Sequence, residues 1–314
     1  MRILVVGAGA IGGYFGGRLL QAGRDVTFLV RPRRAAQLAK AGLVIRSPFG
    51  DVSLPNPPTI TADVLREPYD VIILSCKAYD LAAAADSFAP AVGADTAILP
   101  LLNGMAHLDF LGGRFGARAV LGGQCVISVT LDAEGRILHL NDTHGLSFGE
   151  LDGAASARAE AIAATMATAR FDARLSTIIL QEMWEKWAFI ATTAGITCLM
   201  RAAVGDIVAA GAGDLAIELL DECSAIAAAH GFPPREAIKT RGRAMLTAPG
   251  STFAASMLRD IEHGAPIEAD HIVGDLLHRG KGEARNYVLL RIAYAHLKAY
   301  EARRKRETAA KTGG

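Results

Sequence analysis

The sequence predicts a two-domain α/β protein: a doubly wound, mostly parallel sheet in the first half and an all-α domain in the second. Three observations carry this expectation. Short β-branched runs alternate with helical patterns through the first half, the signature of parallel strands joined by crossover helices. Strand signals stop near residue 175, and segments of helical periodicity separated by Gly or Pro follow. The 314 residues also exceed what one hydrophobic core usually fills, since cores tend to split beyond about 250–300 residues. The expected domains are residues 1–174 and 175–314.

Taken in order, residues 2–6 and 25–30 read as strands with a helix over 11–22 between them. Residues 43–46 and 52–54 flank Ser47-Pro48-Phe49-Gly50, whose composition predicts a hairpin turn. Residues 70–76 and 96–102 are nearly continuous apolar runs, as strands buried on both faces require. Residues 120–131, 137–140 and 146–148 read as further strands. Helices are expected over 178–200, 214–230, 235–246, 252–263, 268–279 and 287–301. The basic run Arg303-Arg304-Lys305-Arg306 and residues 308–314 read as a frayed, solvated helix end.

Composition excludes several classes of function. The formal net charge is +1, so no global field recruits nucleic acid or an anionic membrane. No apolar run reaches the roughly 18 residues of a membrane span. Met1 leads directly into a strand pattern, without the basic and apolar regions of a secretory signal. Cys76, Cys125, Cys198 and Cys223 are too widely spaced for a metal motif or a disulfide framework. A cytoplasmic protein with no metal site is expected.

Gly7-Ala8-Gly9-Ala10-Ile11-Gly12 follows the first strand and opens a helix. GxGxxG alone is a weak signal, but here the strand before it and the helix after it complete a Rossmann-type dinucleotide site. Gly7 permits the tight turn, Gly9 lets the backbone approach a pyrophosphate, and Gly12 lets helix and strand pack closely. The N–H groups around Ala10 and Ile11 lie at the helix N-terminus, where the dipole favours negative charge. The end of the second strand then bears on the choice of cofactor. NAD sites usually carry a carboxylate there for the ribose 2′-hydroxyl, but this chain has Val30-Arg31-Pro32-Arg33-Arg34. An Arg fork pairs with a 2′-phosphate through charge-assisted bonds. Arg31 is best placed, with Arg33 or Arg34 in support, so NADPH is the expected cofactor.

Candidates for chemistry lie at the carboxyl ends of later strands and in the helical half. Lys77 closes the expected strand over 70–76, and Asn103 begins Asn103-Gly104-Met105 after that over 96–102. Both are where a nicotinamide should lie, although such a Lys is often a surface residue and Asn-Gly often a plain turn. Lys186 falls between Trp184 and Trp187 in a strongly apolar helix. It either snorkels to solvent or, facing a cleft, becomes a desolvated ammonium suited to donating a proton to a carbonyl oxygen. Ser256 and Glu268 follow, the latter at a helix start where a carboxylate also favours the dipole.

These segments together resemble the ketopantoate reductase (2-dehydropantoate 2-reductase) family. The likeness rests on the GAGAIG turn, Leu74-Ser75-Cys76-Lys77-Ala78, Leu102-Asn103-Gly104-Met105, Glu182-Met183-Trp184-Glu185-Lys186, Ser256-Met257-Leu258-Arg259-Asp260-Ile261 and Pro266-Ile267-Glu268. It implies NADPH-dependent reduction of ketopantoate to (R)-pantoate on the way to pantothenate and coenzyme A. Lys186 would protonate the nascent alkoxide, and Glu268 would orient that Lys or bind the substrate hydroxyl. Asn103 would hold substrate and the nicotinamide side, Lys77 would line the cofactor end, and Ser256 would bind the substrate carboxylate.

The family's best-known members carry Asn where this chain has Ile190, four residues after Lys186, and Phe253, three before Ser256. Residues four apart share a helix face, so Ile190 puts apolar surface beside Lys186. Thr192, Thr193 and Thr197 are the candidates to compensate, and Thr193, seven residues past Lys186, returns to that face as a substrate contact. Two alternatives stay open: an NADPH-dependent reductase of a more apolar 2-oxo acid, and a non-catalytic NADP(H)-binding redox sensor. The apolar helical domain also suits a homodimer.

Overall fold

The computed structural model describes residues 1–280 and 286–312. It divides into two compact units: Met1–Leu102 with His107–Leu180, and Asn103–Ala106 with Gln181–Gly314. In the first unit, β1 (Arg2–Val6), α1 (Ala10–Gln21) and β2 (Asp25–Leu29) form the opening βαβ crossover, followed by α2 (Pro32–Ala41). Next come the hairpin strands β3 (Leu43–Arg46) and β4 (Val52–Leu54), the short β5 (Thr59–Ile60), β6 (Val71–Leu74), α3 (Leu81–Phe88) and β7 (Ala97–Pro100). The unit is completed by all but the first residue of α4 (Ala106–Phe115), then β8 (Leu121–Leu131), β9 (Ile137–Glu150), α5 (Ala157–Met166) and β10 (Asp172–Leu175).

Five strands form a wholly parallel sheet in the order β5-β2-β1-β6-β7. Side chains alternate across it with period two. Ile3, Val5, Phe28, Ile73 and Leu99 enter one core, whereas Leu4, Val6, Leu29, Ile72 and Leu74 enter the other. Burial on both faces is why these strands read as unbroken apolar runs.

A second sheet runs β10-β9-β3-β4, with β8 antiparallel on β9. The predicted hairpin is present as β3 and β4, but it belongs to this second sheet. Residues 137–140 and 146–148, read as two strands, are one continuous strand β9. The polar stretch Asn141-Asp142-Thr143-His144 hid that continuity: the Asn141 side chain accepts from the Ser128 backbone N–H, and His144 Nδ1 meets the Tyr14 hydroxyl at 2.8 Å. Tertiary partners thus satisfy polar groups that alone signal a loop.

The helical unit contains most of α6 (Ile179–Met200), then α7 (Val204–Ala209), α8 (Gly213–Ala229), α9 (Glu236–Leu246), α10 (Ser256–Glu262), α11 (Asp275–Arg279) and α12 (Val288–Thr312). Close packing around α6 uses Gly195, where a Cβ would come within 2.9 Å of Leu219 on α8 and 3.3 Å of Ala293 on α12. Glu222 on α8 caps α12 by accepting from the Leu289 and Leu290 N–H groups at 3.0 and 2.8 Å. Two expectations shift here. The predicted helix over 252–263 is confined to Ser256–Glu262, and that over 268–279 contains a π turn at Asp270–Gly274. The basic tail continues α12 to Thr312; residues 313–314 of that prediction lie outside the described residues. Among the described residues no helix is long and apolar enough to cross a membrane.

Candidate active site

The glycine turn is built as its sequence demands. Gly7 has φ +92°, a left-handed conformation that glycine adopts without strain, and its N–H donates to the Leu29 carbonyl at 2.9 Å. A Cβ at Gly12 would collide with Ser75 Oγ and the Gly7 carbonyl, so only glycine allows this approach of α1 to the sheet. At Gly9 an added Cβ meets nothing within 4 Å. Gly9 is the N-cap of α1, it offers no side-chain cap, and the first turn carries no acidic residue. The N–H groups of Ala10, Ile11 and Gly12 are among those that a helix start leaves without internal partners. Room at Gly9, open donors and no competing carboxylate in that turn fit a dinucleotide pyrophosphate.

The three arginines after β2 have different roles. Arg34 is half-buried and turns inward: its Nε donates to the Ala8 carbonyl at 3.0 Å, and its guanidinium also reaches Gln37 and the Gly135 carbonyl. It braces the glycine turn from behind. Arg33 is exposed. Arg31 is the N-cap of α2 and reaches Asp80 Oδ1 through Nη2 at 2.8 Å. Asp80 closes a one-turn 3₁₀ segment, Ala78–Asp80, that Lys77 precedes. Lys77 is half-buried and lies three residues beyond the end of β6, which stops at Leu74 where the reading carried it to residue 76.

In the helical unit Lys186 is half-buried on α6, flanked by the buried indoles of Trp184 and Trp187, whose rings are 5.0 Å apart. Its neighbour Glu185 is buried and bound by Arg235 at 2.6–2.8 Å through Nε and Nη2. Those hydrogen bonds outweigh the desolvation and hold the Glu185 carboxyl below its ordinary range. Glu268 immediately precedes the helix that the π turn widens, and its carbonyl accepts the Ile272 N–H at 3.0 Å. Inside that turn the Ile272 carbonyl accepts the Trp187 indole N–H at 2.8 Å. The helix carrying Lys186 is therefore tied to the segment that Glu268 opens. Such π turns recur at functional sites. Asp270 in the same turn is held from α12 by Tyr294 at 2.6 Å and Lys298 at 2.9 Å.

Asn103 belongs to this unit with Gly104, which has φ +81°. A Cβ on Gly104 would lie 2.7 Å from the His271 carbonyl oxygen and 3.0 Å from its ring, so the Asn-Gly pair is fitted to the π turn. The His271 ring donates to the Asn103 main-chain carbonyl. Burial pushes the His271 pKa below its usual value, against the opposing pull of Glu268 and Asp275. Sequence reading missed His271, Trp187 and Asp80. The available signals were spacing alone: His271 three residues after Glu268, and Asp80 three after Lys77.

The remaining candidates are less closely drawn in. Thr193 is buried, but its hydroxyl proton goes to the Phe189 carbonyl at 2.8 Å. Ser256 is exposed at the first position of α10. Phe253 stacks on Phe189 with ring centroids 6.0 Å apart, and Ile190 is half-buried. Among the described residues no group of three or more His, Cys, Asp or Glu side chains is arranged to hold a metal ion.

A nucleotide-type glycine turn on a parallel sheet, followed by a helical unit bearing a half-buried lysine, defines a two-part oxidoreductase. Family models for ketopantoate reductase PanE/ApbA and for its C-terminal region match residues 3–153 and 178–301. The chain belongs to the ketopantoate reductase family. It is 38% identical over 303 residues to the uncharacterized oxidoreductase YkpB of Bacillus subtilis, covering 96% of this chain and 99% of that one. It is similar to the 2-dehydropantoate 2-reductase crystal structure from Methylococcus capsulatus, with a TM-score of 0.86, 28% identity and coverage of 97% and 98%. A D-mandelate dehydrogenase solved with NADH and anilino(oxo)acetate shares the fold, with a TM-score of 0.86 at 20% identity, covering 97% of this chain and 100% of that one.

Proposed function

We propose that this protein reduces a small 2-oxo acid to its 2-hydroxy acid with NADPH, the leading reaction being ketopantoate to (R)-pantoate for pantothenate and coenzyme A synthesis in the cytoplasm. The observation that carries this reading is the Trp187–Ile272 hydrogen bond, which tethers the helix of Lys186 to the segment that begins at Glu268. When bound, the reduced nicotinamide supplies a hydride to the carbonyl carbon. Lys186 donates an ammonium proton to the oxygen and recovers it from solvent. Glu268 orients Lys186 or accepts from a substrate hydroxyl. Asn103 holds the substrate against the nicotinamide side, Lys77 lines the cofactor end, and Ser256 binds the substrate carboxylate with Thr193 beside it. Gly7, Gly9, Ala10, Ile11 and Gly12 cradle the pyrophosphate, and Arg31 meets the 2′-phosphate.

A second reading, a more apolar 2-oxo acid, is favoured by the Phe253 ring stacked on Phe189, next to Ile190. Apolar walls reward alkyl bulk by about 0.8 kcal/mol per buried methylene. A site built to bind the substrate hydroxyl instead rejects an analogue lacking it, by roughly 10⁴–10⁵-fold. NADPH oxidation is therefore to be followed with a panel of 2-oxo acids that includes ketopantoate and 2-oxo-3,3-dimethylbutanoate. Strong selectivity for ketopantoate assigns the first reading, comparable kcat/KM values assign the second, and no turnover with any member refutes both. Lys186→Ala should lower kcat by about 10²–10⁴-fold while leaving the NADPH Kd unchanged. A variant retaining most of its kcat would remove Lys186 from the mechanism.

A further inference from the structure

Arg31 and Asp80 come from different strand ends. Arg31 follows β2, Asp80 follows β6, and the two strands flank β1, whose carboxyl end carries the glycine turn. Their side chains meet at 2.8 Å. The Arg31 side chain is 75% exposed and that of Asp80 38% exposed, so the pair lies where a ligand can compete for it.

We propose that Asp80 sets the cofactor preference of this chain: its carboxylate competes with a 2′-phosphate for Arg31 and so narrows the margin by which NADPH is bound over NADH. The proposal rests on the assignment of Arg31 to the 2′-phosphate. A phosphate dianion brought to the Arg31 fork must displace the Asp80 oxygen and then stand close to its negative charge. A ribose 2′-hydroxyl meets neither penalty, because it donates to a carboxylate and carries no charge. The residue that would recognise NADPH is thus paired with one that disfavours it. The arginine run by itself gave no sign of this, since the opposing carboxylate enters from another strand.

The test is calorimetric titration of NADPH and NADH into the unmodified protein, Asp80→Asn, Arg31→Ala and the double variant. Asp80→Asn keeps the side-chain shape and removes the charge. It should tighten NADPH about five- to tenfold, change NADH by less than about twofold, and lose most of its benefit at high salt. In the Arg31→Ala background the gain should shrink, because the contested donor is gone. Asp80→Ser provides a second neutral side chain should Asp80→Asn fold poorly. An unchanged NADPH:NADH ratio of Kd values in both neutral variants, with the unmodified protein still binding NADPH, overturns the role of Asp80 alone. If the unmodified protein favours NADH and Asp80→Asn shifts it towards NADPH, the role of Asp80 stands and the NADPH assignment falls. Binding of neither nucleotide to any variant overturns both.

Discussion

His271 sits where three charged groups bear on one ring: Glu268 and Asp275 favour its protonation, Arg279 opposes it, and burial outweighs them all. The ring is therefore held below the usual histidine pKa of about 6.5. The sign of the linkage follows. Above about pH 6.5 both folded and unfolded rings are neutral, and the group contributes no pH dependence. As the pH falls below that value the unfolded chain takes up a proton that the native ring resists, so stability is lost. His144, also depressed by burial, acts in the same sense. Thermal unfolding between pH 5 and 8 should show a Tm that declines below about pH 6.5. His271→Asn keeps a donor for the Asn103 carbonyl and removes the titration, so its decline should be shallower. An identical slope would mean that His271 is not buried as described. At this scale the glycine turn and the placement of Lys186 on an apolar helix were legible, because their reasons are local: a positive φ, a close approach, the apolar run around the Lys. His271 was not, because its acceptor is the main chain of Asn103, far away in sequence.

A helix and a widened turn form the unit of interest at the next scale. Helix α6 is buried on several sides, including Trp187, Ala188, Ala191 and Thr192, and so shows little of the one-sided periodicity of a surface helix. Its link to the π turn is the Trp187 indole bond to the Ile272 carbonyl. Trp187→Phe preserves much of the ring burial and removes this hydrogen bond, at a net cost of about 0.5–1.5 kcal/mol. Under the proposed function kcat should fall with little change in the Kd of NADPH, because the glycine turn lies in the other unit. A fall in Tm with kcat intact would restrict Trp187 to a structural role. The helix over 268–279 was visible in the sequence, but its π turn was not. A π turn inserts one residue into the periodicity, which apolar spacing reads only as slight irregularity. Helix α7 and strands β5 and β10 went unread for a simpler reason: each is short.

For the whole molecule, the helical unit carries apolar surface that its own packing leaves open. Val288 and Ile292, one turn apart on α12, are 50% and 48% exposed. A homodimer formed through this unit is the expected assembly, and sedimentation velocity over a dilution series should report a mass twice that of the chain. Ile292→Glu should shift the population towards the monomer, because a buried unpaired charge is costly. A monomer at all concentrations would refute the assembly.

The sequence by itself determined the two-part architecture and the glycine turn, because each is written in local spacing, whereas the family came from the resemblance of motifs spread along the chain. Period-two and helical patterns encode which face is apolar, and glycine encodes where the backbone needs an unusual conformation or a close approach. Tertiary structure alone decided which polar groups meet. Arg31 meets Asp80, the Asn103 main chain meets His271, and Trp187 meets Ile272. Each pair joins segments distant in the chain, so its geometry depends on how strands and helices pack. Local periodicity does not specify that packing, because a donor and its acceptor need only be close in space.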